Sequence, residues 1–192
     1  MIRLETDRLI IRDHEYEDLE GLHQLLSSDE NTYFISDLRT HSMDESRENL
    51  FEAMKHAKLD NRLKVFLAIE EKATGNYVGD IGYTISEQAT EGAVAEMGYF
   101  VLKSFWGKGY VTEAAKSVLD FAFTKGGIIK IETGCNKANV TSENIMIKLG
   151  MVKEAHLVKH SAIDGILYDR VCYRLLKSEW EQMKDRSCDL RK

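Results

Sequence analysis

An extended apolar stretch, Val94 to Leu102, runs into Phe105-Trp106-Gly107-Lys108-Gly109-Tyr110, and a helical pattern, Tyr110 to Thr124, begins at once behind it. Two glycines flanking a lysine at a strand-to-helix turn let backbone N–H groups converge, and the helix start adds the positive end of its dipole. This is the chemistry of a phosphate cradle. A chain that builds it must bring a strand end and a helix start to one place, which points to an α/β fold. An isolated Gly-x-Gly more often marks only a tight turn at positive φ, so the surrounding residues have to decide.

Two other glycine loops are tested by counting. A Walker A loop needs a glycine five positions before Gly-Lys-Ser/Thr; Leu102 stands at the first place and Gly109 where the hydroxyl residue belongs. A dinucleotide fingerprint is met by Gly107 and Gly109, but Thr112 replaces its third glycine. Its acidic residue would be Glu132, which lies inside the next apolar strand rather than at its end.

Hydrophobic periodicity orders the rest of the chain. Leu4 to Arg12 reads as a strand and Tyr16 to Ser28 as an amphipathic helix. Ser42-Met43-Asp44-Glu45 is a capping box opening a second helix. Val65 to Glu70 and Tyr77 to Ile85 form a hairpin, followed by the strand Val94 to Leu102 and the helix Tyr110 to Thr124, closed by Gly126-Gly127. Ile128 to Cys135 is a strand, Thr141 to Leu149 a short helix, and Met151 to Ile163 with Ile166 to Leu176 a last hairpin about Asp164-Gly165. The sum is a mixed α/β domain of about seven strands and about four helices. Two hairpins are inconsistent with a repeating βαβ wind, which weakens the dinucleotide reading further. The polar segment Asp29 to His41, with Tyr33-Phe34, has the makings of a substrate loop or of any surface loop.

Composition narrows the classes. The chain has 192 residues, enough for one domain with a sizeable core. No apolar run approaches a membrane span, and Arg3, Glu5, Asp7 and Arg8 interrupt the stretch a signal peptide would need. A cytoplasmic protein without a membrane partner is expected. The formal net charge of −6 disfavours nucleic acid and suits cationic acceptors. Cys135, Cys172 and Cys188 have no close pairing, and His156 and His160 have no ligand spacing, so neither disulfides nor a metal is expected.

Tyr99-Phe100-Val101 followed by Trp106-Gly107-Lys108-Gly109-Tyr110-Val111-Thr112-Glu113-Ala114 resembles the acetyl-CoA loop of the GNAT acetyltransferases, in the branch of the RimJ and RimL ribosomal-protein N-terminal acetyltransferases. Asn139-Val140-Thr141-Ser142 with Lys148-Leu149-Gly150-Met151 is similar to that branch's second cofactor motif. Leu4-Glu5-Thr6-Asp7-Arg8-Leu9-Ile10-Ile11-Arg12 resembles its first strand, and Asp164-Gly165, Tyr168-Asp169 and Leu175-Leu176 its closing hairpin. The resemblance implies a GNAT domain over residues 1–182, with a charged tail over 183–192, and two central strands that splay apart to admit the pantetheine arm, here those ending at Leu102 and Cys135.

It also implies site residues. Backbone N–H groups from Trp106, Gly107, Lys108, Gly109, Tyr110 and Val111 into Thr112 would hold the pyrophosphate. Phe100 and Val101 would pair with the pantetheine amides, and Asn139 would bond the same arm or cap the helix behind it. Glu96, the acid inside Ala93 to Leu102, is the candidate base. Many members place a general-acid tyrosine where Met146 stands, and a thioether has no proton to give. Ser142 is the replacement donor, as well as a cofactor contact, with Tyr168 a second candidate. The implied activity is acetyl-CoA-dependent transfer to an amine: a peptide N-terminus first, a small amine or amino-sugar second, with a non-catalytic acyl-CoA-binding module and a homodimer left open.

Overall fold

The computed structural model describes the backbone of residues 1–189 and the side chains of residues 1–186; Cys188 lies outside the described side chains. Among the described residues one sheet has eight strands in the order β1-β2-β3-β4-β5-β6-β8-β7. They are β1 (Arg3–Glu5), β2 (Leu9–Asp13), β3 (Lys64–Glu71), β4 (Tyr77–Ala89), β5 (Gly92–Val101), β6 (Ile128–Asn136), β7 (Val152–Ile163) and β8 (Ile166–Leu176). The helices are α1 (Leu19–Ser27), α2 (Asp29–Thr32), α3 (Met43–His56), α4 (Tyr110–Thr124), α5 (Val140–Lys148) and α6 (Lys177–Asp189). No helix among the described residues is long and apolar enough to cross a membrane.

The count differs from expectation for local reasons. The single first strand is a hairpin: Thr6 N donates to Leu9 O at 3.0 Å and Leu9 N to Thr6 Oγ1 at 3.0 Å, so the chain reverses at Asp7-Arg8. The polar segment after α1 folds into the one-turn α2 and a run of 3-10 turns, Tyr33–Leu38. Ser42 caps α3 as predicted, accepting from Glu45 N at 3.2 Å, but the Glu45 carboxylate returns to His41 N rather than to Ser42 N.

The apolar stripe of α4 explains its place. Ala114, Ala115, Val118, Leu119 and Ala122 are all fully buried against Leu67, Ile69, Ile81, Ala95 and Ile131 of the sheet. Small residues on one side of the helix let it lie close to the strands. α5 packs on the same side, and α6 adds Trp180 against Phe123. The opposite side of the sheet is covered by α1 and α3, whose Leu22, Leu26 and Leu50 form a second, smaller core with Tyr77.

The sheet is antiparallel throughout except at its centre, where β5 and β6 run parallel. Their pairing covers only Ala93 to Glu96 against Ile128 to Glu132. Past that point β5 continues on β4 to Val101, and β6 continues on β8 to Asn136. The two strands therefore diverge, as the resemblance implies, and leave a cleft in the middle of the sheet.

A buried ionic cluster ties the first elements to β4. His14 lies between Asp18 (Nδ1–Oδ2 3.4 Å) and Asp80 (Nε2–Oδ1 3.3 Å), with its side chain 1% exposed. The Nδ1 contact is an ion pair without hydrogen-bond alignment, since Nδ1 has no hydrogen-bond partner. Arg12 holds both oxygens of Asp18 at 2.8 Å, and the Tyr77 hydroxyl donates to Asp80. Burial alone would lower the His14 pKa; the Asp80 and Asp18 carboxylates outweigh it and raise it to about 9. The folded pKa is above the ordinary value near 6.5, so this contribution is present in full below pH 6.5 and is lost as pH rises through about 9. Its size is on the order of 3 kcal/mol. We predict that the melting temperature falls between pH 6.5 and 9.5, and that His14→Gln, though less stable at pH 6.5, shows a flatter profile across that range. Parallel profiles would contradict the assignment.

Candidate active site

The turn before α4 is built by two left-handed glycines, Gly107 (φ 72) and Gly109 (φ 78), on either side of Lys108. A Cβ at Gly107 would meet open space, so its glycine is required by conformation rather than by room. The N–H groups of Gly107 through Thr112 have no hydrogen-bond partner among the described residues, and Glu113 N is the first to bond, to Gly109 O at 3.1 Å. Six donors thus converge at the start of a fifteen-residue helix. Trp106 differs from expectation: its main-chain N–H donates to Lys103 O at 3.1 Å and its indole to Val101 O at 2.9 Å. It closes the turn and leaves the anion to the residues behind it.

The loop is fastened from the N-terminal hairpin. Arg8 Nη1 donates to Lys108 O at 3.0 Å, its guanidinium lies over the Tyr110 ring at 4.6 Å, and Nη2 pairs with Glu113 at 2.6 Å. Arg8 N and Thr6 Oγ1 also bond Glu113, at 2.9 and 2.6 Å. Burial raises the Glu113 pKa, and the bonds from Thr6 and Arg8 outweigh it and hold the carboxyl below its ordinary range. An acid in the first turn would repel a bound phosphate; Arg8 neutralises it and adds its own charge beside the cradle. Lys108 folds over the Phe105 ring, its Nζ 4.7 Å from the centroid.

The walls of the cleft are unpaired strand edges. Leu102 N donates to Val78 O at 2.9 Å, and bonding direction alternates along an antiparallel strand, so Phe100 also faces β4. Tyr99 and Val101 therefore present their main-chain groups to the cleft, although Val101 O is taken by Trp106. The expected pairing moves from Phe100 and Val101 to Tyr99 and the Val101 N–H. On the other wall Asn136 is 6% exposed; its Oδ1 accepts from Ala138 N at 2.9 Å, while Nδ2 is buried without a partner. A buried orphan donor is costly, and a ligand rich in carbonyls would satisfy it.

Glu96 stands at the fork, opposite Glu132 in the last β5–β6 pair. Facing carboxylates repel, and each has a cation: Arg170 Nη2 is 3.3 Å from Glu96 Oε1, and Lys130 Nζ is 2.6 Å from Glu132. Arg170 reaches Glu96 from β8 by crossing Gly134, where a Cβ would come within 3.1 Å of its guanidinium. Glu96, Glu132 and Arg170, together with Thr133, Glu154, Cys172 and Tyr173, line an open recess of about 180 Å³. The Glu96 side chain is 62% exposed.

Ser142 lies in the first turn of α5. Asn139 caps that helix, its Oδ1 accepting from Ser142 N at 3.1 Å. Glu143 clamps the turn through Lys137 (2.7 Å), Tyr173 (2.9 Å) and Lys153 (3.3 Å), and these bonds, Lys137 first, lower its pKa to about 2. Side chains alternate along β5, so Glu96 and Ser142 lie on opposite faces of that strand, with the cleft between them. Met146 is fully buried in the core. Tyr168 is turned toward the 3-10 segment Tyr33–Leu38, its hydroxyl 3.5 Å from that of Tyr33. Burial pushes the Cys135 thiol up, which removes it as a ready nucleophile.

Three residues with direct contacts to this site carry no role in the sequence reading. Arg8 sits in a motif read only as the first strand. Arg170 and Tyr99 lie in ordinary strand sequence, and only the sheet register brings them to Glu96 and Ser142.

Comparison with known proteins agrees with this geometry. The acetyltransferase (GNAT) domain family matches residues 8–152. The uncharacterized N-acetyltransferase p20 of Bacillus licheniformis is 29% identical over 180 residues, covering 94% of this chain and 99% of the relative. A spermidine N-acetyltransferase from Vibrio cholerae, solved with CoA and spermine, superposes with a TM-score of 0.79 at 22% identity, covering 92% of this chain and 99% of that one. A ribosomal-protein-alanine acetyltransferase from Vibrio fischeri superposes with a TM-score of 0.80 at 18% identity, covering 94% of this chain and 99% of that one. The unpartnered amides, the open strand edges and the orphan Asn136 donor all fit acetyl-CoA, the acetyl donor of the matched family. The chain belongs to the GNAT N-acetyltransferases.

Proposed function

We propose that this N-acetyltransferase acts on the N-terminal amine of a protein or peptide, as a RimJ/RimL-like enzyme, by direct transfer with both substrates bound. The observation that carries the reading is the exposed Glu96 in a cavity of about 180 Å³. Enclosed small-molecule pockets run to about 300–1,000 Å³. A smaller, open recess suits the end of a chain whose remainder stays outside. Free Cys135 and Cys172 accord with a cytoplasmic setting.

Bound acetyl-CoA supplies an acyl carbon activated as a thioester. Gly107 through Thr112 hold its pyrophosphate with main-chain N–H groups, and Arg8 adds positive charge at the rim. The Tyr99 and Val101 main chain orders the pantetheine arm as an added strand. Glu96 removes the proton from the incoming ammonium, directly or through water. Arg170 keeps that carboxylate aimed at the cavity. Ser142 donates a hydrogen bond to the departing sulfur. No acyl-enzyme is needed, consistent with the buried, protonated Cys135.

Glu96→Gln is expected to lower kcat by roughly 10²–10⁴-fold with acetyl-CoA affinity unchanged, measured by thiol release with N-terminal peptides and by calorimetry. Retained turnover would contradict the base assignment. Gly107→Ala places a side chain at φ 72, a strain of about 1–2 kcal/mol. The free loop can relax that strain and the loop holding the pyrophosphate cannot, so the Kd for acetyl-CoA is expected to rise roughly tenfold; an unchanged Kd would contradict this reading of the loop. Arg8→Gln should weaken acetyl-CoA binding, with the difference from wild type shrinking as salt is raised. A salt-independent difference would assign Arg8 a purely structural role.

A further inference from the structure

Tyr99 leaves β5 on the side facing α5, and its one hydroxyl hydrogen has two acceptors on Ser142, Oγ at 3.1 Å, where either oxygen can donate, and the main-chain O at 3.2 Å. Burial pushes the phenol up to about 12, so it keeps its proton at neutral pH. The surroundings bear on what Ser142 can do with its own hydrogen. A serine in a helix readily turns its hydroxyl back to a carbonyl one turn earlier. Here that carbonyl, Asn139 O, already accepts from Glu143 N at 3.1 Å and from Cys135 Sγ at 3.7 Å. The Ser142 N–H is fixed by Asn139 Oδ1, so the main chain that carries the side chain is held, and the hydroxyl lies between the Tyr99 phenol and the Cys135 thiol.

We propose that Tyr99 is a positioning residue for acetyl transfer: its one phenolic hydrogen, shared between Ser142 Oγ and the Ser142 main-chain O, occupies a lone pair of Oγ and lets the serine hydrogen aim into the cleft at the departing sulfur. A hydroxyl has one hydrogen and two lone pairs, and a donor occupying one lone pair restricts where the hydrogen can point. This arrangement supplies the orientation that the buried Met146 cannot. As the carbon–sulfur bond breaks, its electron pair goes to sulfur and is met by the Ser142 hydrogen. Tyr99 and Ser142 both keep their protons. The acceptor ammonium gives one proton to Glu96 and, on forming the amide, a second that passes through solvent to the departed thiolate, which leaves as the thiol.

The proposal rests on Ser142 being the donor to sulfur, and a double-mutant cycle separates the two claims. Tyr99→Phe, Ser142→Ala and the pair are compared for kcat, KM for acetyl-CoA and melting temperature. Tyr99→Phe removes one oxygen and preserves the ring. The expected result is a fall in kcat of roughly five- to tenfold for each single variant. The double variant should be no slower than Ser142→Ala, with KM and melting temperature unchanged throughout. Wild-type turnover in Ser142→Ala would remove the serine, and the proposal with it. Slow Ser142→Ala beside unaffected Tyr99→Phe would overturn the role of Tyr99 alone. Effects that multiply in the double variant would also overturn it, as would a raised KM or a lowered melting temperature in Tyr99→Phe.

Discussion

The parallel pairing of β5 with β6 stops at Glu96 and Glu132, and the remaining features of the site depend on that interruption. Hydrogen bonds left open at the edge of a sheet can be met by water; two such edges facing each other in its middle form a slot. Each strand stays ordered past the fork because it has a second partner, β4 for β5 and β8 for β6. The walls of the slot are therefore held from outside it. The last paired residue on β5 is Glu96, so the acid comes to stand where the slot begins.

Electrostatics then assign the ends. At the far end, β5 leads through the Trp106 turn into six free amides and the dipole of α4. Glu113 would spoil that field, and the N-terminal hairpin, through Arg8, converts it from a liability into an anchor. At the near end, Glu96 and Glu132 face each other across the fork and are held apart in function by separate cations, Arg170 and Lys130. The cluster of Arg12, His14, Asp18 and Asp80 lies beside neither end; it fixes the first turn of chain to β4 and so keeps Arg8 in reach of the loop.

Much of this was legible in the chain. Periodicity located α4 at its observed bounds, because its stripe of small and branched residues has no competing period. The glycine turn was legible since only glycine adopts φ near +70° without strain. The first hairpin was not, because Asp7-Arg8 is too short a polar break to show against the apolar residues around it. The site divided along the same line. Residues within one contiguous motif, Gly107 to Thr112 and Asn139 to Ser142, were readable. Arg170 and Tyr99 act through strand register, over separations of 74 and 43 residues, and single-sequence patterns carry no information at that range. Phe100 and Trp106 lie in the strand and turn read from the sequence, yet which of their main-chain groups is free depends on hydrogen bonds that only the folded sheet fixes.

The central claim is that acetyl-CoA enters the slot with its pyrophosphate on the start of α4 and its arm along β5. Amide chemical shifts recorded during a CoA titration test this directly. The account predicts the largest changes at Gly107 through Thr112, with further changes at Tyr99 and Val101, and small ones along β1 and β7. Shifts concentrated away from the fork, with Gly107 to Thr112 unmoved, would contradict it.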